Sequence, residues 1–166
     1  STTDIYTCAG WTSSSATVKP DGVNQGRGSI LTTLGGEGSS FVGTNDGGLL
    51  LAQNDSSVVL KLDKKGKPSA AYKDTHTGGA LSMSAKGNRM FVVERGLRQR
   101  IEQLTPQRKV FADSYQGEPI DCIGGVINDI VADSKGGAYF TMGGLFYADP
   151  SGKITRYGEI GAASSP

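Results

Sequence analysis

Residues that carry chemistry on their own are scarce in this sequence. It has two cysteines, Cys8 and Cys122, and one histidine, His76. No CxxC pair occurs, which excludes a disulfide-rich scaffold and a structural zinc site of the Cys/His type. No Gly-x-Ser-x-Gly elbow is present either. Cys122 with His76, or the terminal Ser1, are the nucleophile arrangements left, and neither has a supporting motif. An excess charge of one sign is also lacking: 17 Lys and Arg face 16 Asp and Glu, for a net +1. That is not the electrostatic footprint of a nucleic-acid binder. Arg95, Arg98, Arg100 and Arg108 do form a local basic run. No aromatic residue interleaves them and Glu94 and Glu102 sit among them, which reads as a solvated face with salt bridges.

Long apolar runs are missing as well. The longest lies around Gly48–Ala52, against the roughly 20 residues a membrane-spanning helix needs. No basic-then-apolar leader opens the chain. Its first residue is Ser1, which fits a removed leader and a cut tag equally. An extracytoplasmic location is the expectation, and a Cys8–Cys122 disulfide would suit export if geometry allows it.

What the sequence has is glycine, 25 among 166 residues, about double the usual share of ~7%. The length suits one domain over residues 1–166. Glycine turns recur at Gly47, Gly87 and Gly136, about 40 to 50 residues apart, the period of propeller blades. Each turn leads into a short apolar run, then a second run, a Lys-bearing turn and a final strand-like piece. A further strand precedes each turn: Ser39–Gly43, Ala80–Ser84 and Ile127–Ala132. The chain is therefore expected to be all-β, with about three four-stranded antiparallel blades near 38–74, 79–115 and 126–158. Tyr115–Val126 is an insertion. In the stretch 97–104 the charged Arg98, Arg100 and Glu102 alternate with Gln99, Ile101 and Gln103, which reads as an exposed strand. The first 34 residues are expected to add strands to another blade, with Trp11 packed between blades. Three blades do not close a ring, since propellers use about four to eight. A complementary half-propeller chain or a second copy is the expected partner, with no nucleic acid and no membrane.

The third repeat carries a resemblance. The run Val126–Thr141, with its Asn128-Asp129-Ile130-Val131-Ala132-Asp133 core and Tyr139-Phe140-Thr141 end, resembles the gluconolactonase/regucalcin (senescence marker protein) family. Glu37-Gly38 is similar to that family's Glu-Gly-Pro ahead of the first blade strand. The resemblance covers most of residues 35–158. It implies the N-terminal half of a six-bladed propeller, and a metal-dependent hydrolase of the lactonase type acting on a small lactone or related ester. It also implies one divalent ion, Ca²⁺ by preference with Mg²⁺, Mn²⁺ or Zn²⁺ tolerable, held in part by Glu37 and Asn128. Both are hard oxygen donors. The catalytic base would come from the other half.

Departures from the family pattern point to a less polar substrate or another reaction. Ser39 replaces the proline, His76-Thr77-Gly78-Gly79 replaces Asn-Gly, and Met142-Gly143 follow Phe140-Thr141. His76 is the side-chain type suited to acid–base work near neutral pH, and its loop falls at the same end as Asn128. It is a candidate catalytic and substrate-binding residue, with Asp121 and Glu118 as further candidates for the mouth. Asp129 is expected to hydrogen-bond a neighbouring blade. A non-catalytic binding propeller and a non-hydrolytic enzyme on the same scaffold are the alternatives.

Overall fold

The computed structural model describes residues 38–84, 88–96 and 98–158. Glu37, Ser1, Cys8, Trp11 and the expected N-terminal strands lie outside the described residues. Within them are three antiparallel four-stranded sheets, each a simple meander. The first holds β1 (Gly38–Gly43), β2 (Leu49–Gln53), β3 (Val58–Leu62) and β4 (Pro68–Tyr72). The second holds β5 (Gly78–Met83), β6 (Met90–Glu94), β7 (Arg100–Thr105) and β8 (Lys109–Ala112). A small hairpin, β9 (Ser114–Tyr115) and β10 (Glu118–Pro119), and a 3-10 turn (Ile120–Ile123) come next. The third sheet holds β11 (Ile130–Ala132), β12 (Ala138–Thr141), β13 (Leu145–Ala148) and β14 (Ile154–Gly158). This is the expected all-β blade architecture; the 115–126 insertion is a hairpin and a turn.

Alternation along the strands explains the stacking. Successive side chains of a strand point to opposite faces. In β6, Phe91 and Val93 face the third sheet, where they join Phe140, Phe146 and Ile154. Met90 and Val92 face the first sheet and join Leu50, Ala52 and Val59. A sheet covered on both sides reads as a continuous apolar run, and Met90-Phe91-Val92-Val93 is one. The stretch expected to form an exposed strand is β7, but Ile101, Glu102, Gln103 and Leu104 are all buried. Its position between two sandwiched strands overrides its polar composition.

The first strands of the sheets lie side by side and are sewn together by serine hydroxyls. Ser40 Oγ accepts from the Leu81 N–H at 3.0 Å, and Ser82 Oγ accepts from the Ala132 N–H at 2.8 Å. Three of the turns share one device. Asp63, Asp133 and Asp149 each fold a carboxylate oxygen back onto N–H groups two to four residues on, and Gly66, Gly136 and Gly152 three residues later take positive φ. This Asp-x-x-Gly pattern is an Asx turn closed by a left-handed glycine.

Candidate functional site

One end of the stack gathers the loops that enter β5 and β11 and the β6–β7 loop. The loop entering β5 is unusual in its backbone. Asp74, His76 and Thr77 take φ of 56°, 44° and 61°, a left-handed run that non-glycine residues adopt at a cost and that recurs at functional sites. The His76 carbonyl is gripped by the Arg95 and Gly96 N–H groups at 3.2 and 2.9 Å. Its imidazole is about half exposed, and Nδ1 lies 3.2 Å from Glu94 Oε1.

Glu94 ends β6 and is fully buried. The Arg100 Nε donates to its other oxygen. Burial raises the Glu94 pKa, and the neighbouring Glu102 adds to the rise, while Arg100 and His76 work against it. Glu102 is itself held by Arg108 through two bonds of 2.9 and 3.0 Å. Two buried carboxylates are thus bracketed by two guanidiniums and one imidazole, as buried charges require. The basic run expected to be a solvated face is only partly so. Arg98 is exposed, whereas Arg100 and Arg108 pair with buried acids between the first and second sheets. His76 Nδ1 faces an acceptor, Glu94 Oε1 at 3.2 Å, and a donor, Arg100 Nη2 at 3.3 Å; the tautomer carrying hydrogen on Nδ1 would donate to Glu94 and leave Nε2 as an acceptor.

Arg95 links this cluster to Asn128. Its Nε donates to Ile127 O at 2.7 Å, and its Nη2 donates to Asn128 O at 2.6 Å and Asn128 Oδ1 at 3.0 Å. Gln99 continues the clasp, receiving the Ile127 N–H at 2.7 Å and donating to Gly125 O at 3.1 Å. Asp121 Oδ1 accepts from the Gln99 N–H at 3.2 Å, so its carboxylate fastens this loop pair. Glu118 does not join them. It lines a separate cavity of about 290 Å³ beside Tyr115, Cys122, Phe146 and Arg156. Asp129 was expected to reach another blade, yet its carboxylate accepts from the adjacent Ile130 N–H at 2.8 Å. Cys122 is exposed and has no cysteine partner among the described residues.

Glu37 lies outside the described residues. Asn128 presents its amide oxygen to a guanidinium, and a cation within about 4 Å of a second cation is repelled by roughly 4 kcal/mol per unit charge near a protein surface. No group of three or more His, Cys, Asp or Glu side chains suited to a metal ion occurs among the described residues. Of the two expected ligands the described residues include Asn128 alone, and its amide oxygen accepts from Arg95. Sequence reasoning missed Glu94, Arg95, Gln99 and Arg100 as members of the site. The available signal was the Gly78-Gly79 pair, which leaves room at the start of β5 for side chains from the next loop.

No protein-family model and no curated protein matches the chain. Solved structures do. A gluconolactonase from Xanthomonas campestris aligns with a TM-score of 0.58 at 16% identity, over 69% of this chain and 44% of that one. The fold is that of the gluconolactonase-like β-propellers. A regucalcin from Agrobacterium tumefaciens, described as calcium-binding, aligns with a TM-score of 0.56 at 17% identity, over 76% of this chain and 46% of that one. A catalytically inactive virginiamycin B lyase from Staphylococcus aureus, solved with quinupristin, aligns at 0.60 and 17%, over 80% and 44%. The chain spans less than half the length of each. Identities this low establish the propeller fold and leave the activity to the site.

Proposed function

We propose that this chain supplies part of the working end of a lactonase-type propeller hydrolase, which opens a small lactone or related ester with water. The observation that carries it is the exposed His76 imidazole, anchored at Nδ1 by buried Glu94 beside Arg100. Nε2 of His76 takes a proton from water as the oxygen attacks the carbonyl carbon, and returns it to the alkoxide that leaves. Arg100, partly exposed and 3.3 Å from His76 Nδ1 through Nη2, supplies positive charge beside the developing oxyanion. Glu94 keeps the ring in the tautomer that accepts. A positioned general base of this kind contributes about 10²–10⁴-fold.

The proposal includes further blades, from a complementary chain or a second copy. Phe41 on the outer face of the first sheet is 60% exposed, and Val131 and Tyr157 on the outer face of the third are 61% and 63% exposed. Such faces suit additional sheets of the same kind.

The test is a panel of aliphatic lactones, sugar lactones and aryl esters. It is run on the purified protein, in the assembly that native mass spectrometry finds, with and without added Ca²⁺, Mn²⁺ and Zn²⁺. His76→Gln is expected to lower kcat/KM by about 10²–10⁴ with no change in folding. Equal turnover by His76→Gln, or none by either protein on any substrate, would overturn the reading and favour a propeller used only for binding.

A further inference from the structure

The guanidinium of Arg95 does not lie where it does by chance of rotamer. A Cβ at Gly79 would overlap Arg95 Cζ, Nε and Nη2. The glycine at the start of β5 is therefore a slot into which the guanidinium is laid flat. From there it reaches across to the strand entry of the third sheet. Three acceptors converge on it from that side: Ile127 O, Asn128 O and Asn128 Oδ1. Arg95 is fixed from the other side too, since its own N–H donates to His76 O. The slot, the three acceptors and the backbone bond make a built site for one cation, and that cation is covalently part of the chain.

We infer that Arg95 takes the place of the divalent ion that the gluconolactonase/regucalcin resemblance implies at Asn128, so that Asn128 binds a guanidinium in place of a metal. The inference rests on the same end of the stack being the working site. The chemistry follows from what an ion at Asn128 would do. It would neutralise the amide and carbonyl oxygens that converge there and fix the loop entering β11. A guanidinium does both with directional N–H donors, and without exchange with solvent ions. A hard divalent ion needs six to eight oxygens at about 2.3–2.6 Å for Ca²⁺. Oxygens that already face a guanidinium serve it poorly, since the two positive charges repel.

The experiment is calorimetric titration of the full chain with Ca²⁺ and with Mn²⁺ alone. It compares wild type, Asn128→Ala and Arg95→Gln, with amide exchange of residues 124–129 followed on the same proteins. Wild type and Asn128→Ala are expected to give the same isotherm, because no ion depends on the Asn128 side chain. Arg95→Gln is expected to speed exchange at Ile127 and Asn128 at least tenfold, and Gly79→Ala, which keeps the charge but closes the slot, should do likewise. Divalent binding that disappears in Asn128→Ala would overturn the inference. So would protection at 124–129 that is indifferent to both Arg95→Gln and Gly79→Ala. Turnover in the lactone panel that needs neither ion nor Asn128 leaves both proposals standing. Turnover that requires both removes this one alone, and absence of any turnover with the expected titrations removes only the hydrolase reading.

Discussion

Tyr147 shows how a single contact sets the behaviour of a turn. Its hydroxyl donates to Asp133 Oδ2 at 2.7 Å, and the other oxygen of that carboxylate accepts the N–H groups of Lys135, Gly136 and Gly137 at 2.7–2.8 Å. Partial burial works against the charge on Asp133, but these four donors outweigh it and hold its pKa below the ordinary value. The same bond, with some desolvation, pushes Tyr147 up to about 12. A tyrosine raised in the folded state stabilises the fold fully below its ordinary pKa of about 10, and that contribution is lost as pH rises toward 12. Tyr147→Phe is therefore expected to flatten the loss of stability between pH 10 and 12, and absorbance titration should show a tyrosinate transition near pH 12 vanish. Glu94 has the same relation to pH, in a lower range. Its folded pKa is raised, so ionising Glu94 costs more in the folded chain than in the unfolded one, and stability contributed by Glu94 declines as pH climbs from the ordinary carboxylate range through its raised value. Glu94→Gln is expected to remove that slope in a denaturation series, at the expense of leaving Arg100 without its buried partner.

At the scale of elements, the sheets stand or fall on what lies between them. Phe91 has no exposed surface and stacks 4.7 Å from Phe111 at a 44° tilt. Phe91→Ala is expected to cost about 3–5 kcal/mol, read as a drop in the midpoint of chemical denaturation. Gly152→Ala tests the neighbouring joint: Gly152 has φ of 88°, and a Cβ there would overlap Phe111 O. It is expected to lower the melting temperature by several degrees, and a neutral result would show that the turn can back away from β8. These elements were largely legible in the sequence. The three Asp-x-x-Gly turns and the alternating apolar runs are local signals, written within a few residues of where they act. β7 was legible as a strand but not as a buried one, because the sheets packed on both of its faces bury it and the partner of its buried Glu102, Arg108, lies beyond the strand. The site was legible only as a neighbourhood. His76 and Asn128 stood out by residue type and resemblance, whereas the bonds that position them come from Arg95, Gln99 and Arg100, which read as ordinary surface charge.

The described sheets form a stack with two outer faces. The outer face of the third sheet is an aromatic ladder: Tyr139 lies 4.7 Å from Tyr147 and 5.4 Å from Tyr157, with Val131 paired to Tyr139. Aromatic pairs of this kind dominate protein contacts when covered. Under the proposed function, a further blade covers this ladder. Val131→Lys with Tyr157→Lys is expected to abolish assembly in sedimentation while leaving the circular dichroism of the single chain intact. Assembly that survives both substitutions would place the contact elsewhere.

The serine seams have a consequence in time as well as in space. β1, β5 and β11 are the first strands of their sheets, and such edge strands ordinarily trade their amide hydrogens with solvent early. Here the Leu81 and Ala132 amides are each tied to a hydroxyl on the adjoining sheet. Solvent should therefore enter from the rim, with β4, β8 and β14 opening first and the seam last. A protease acting on partly opened molecules would trim the periphery and leave a resistant spine of three short strands.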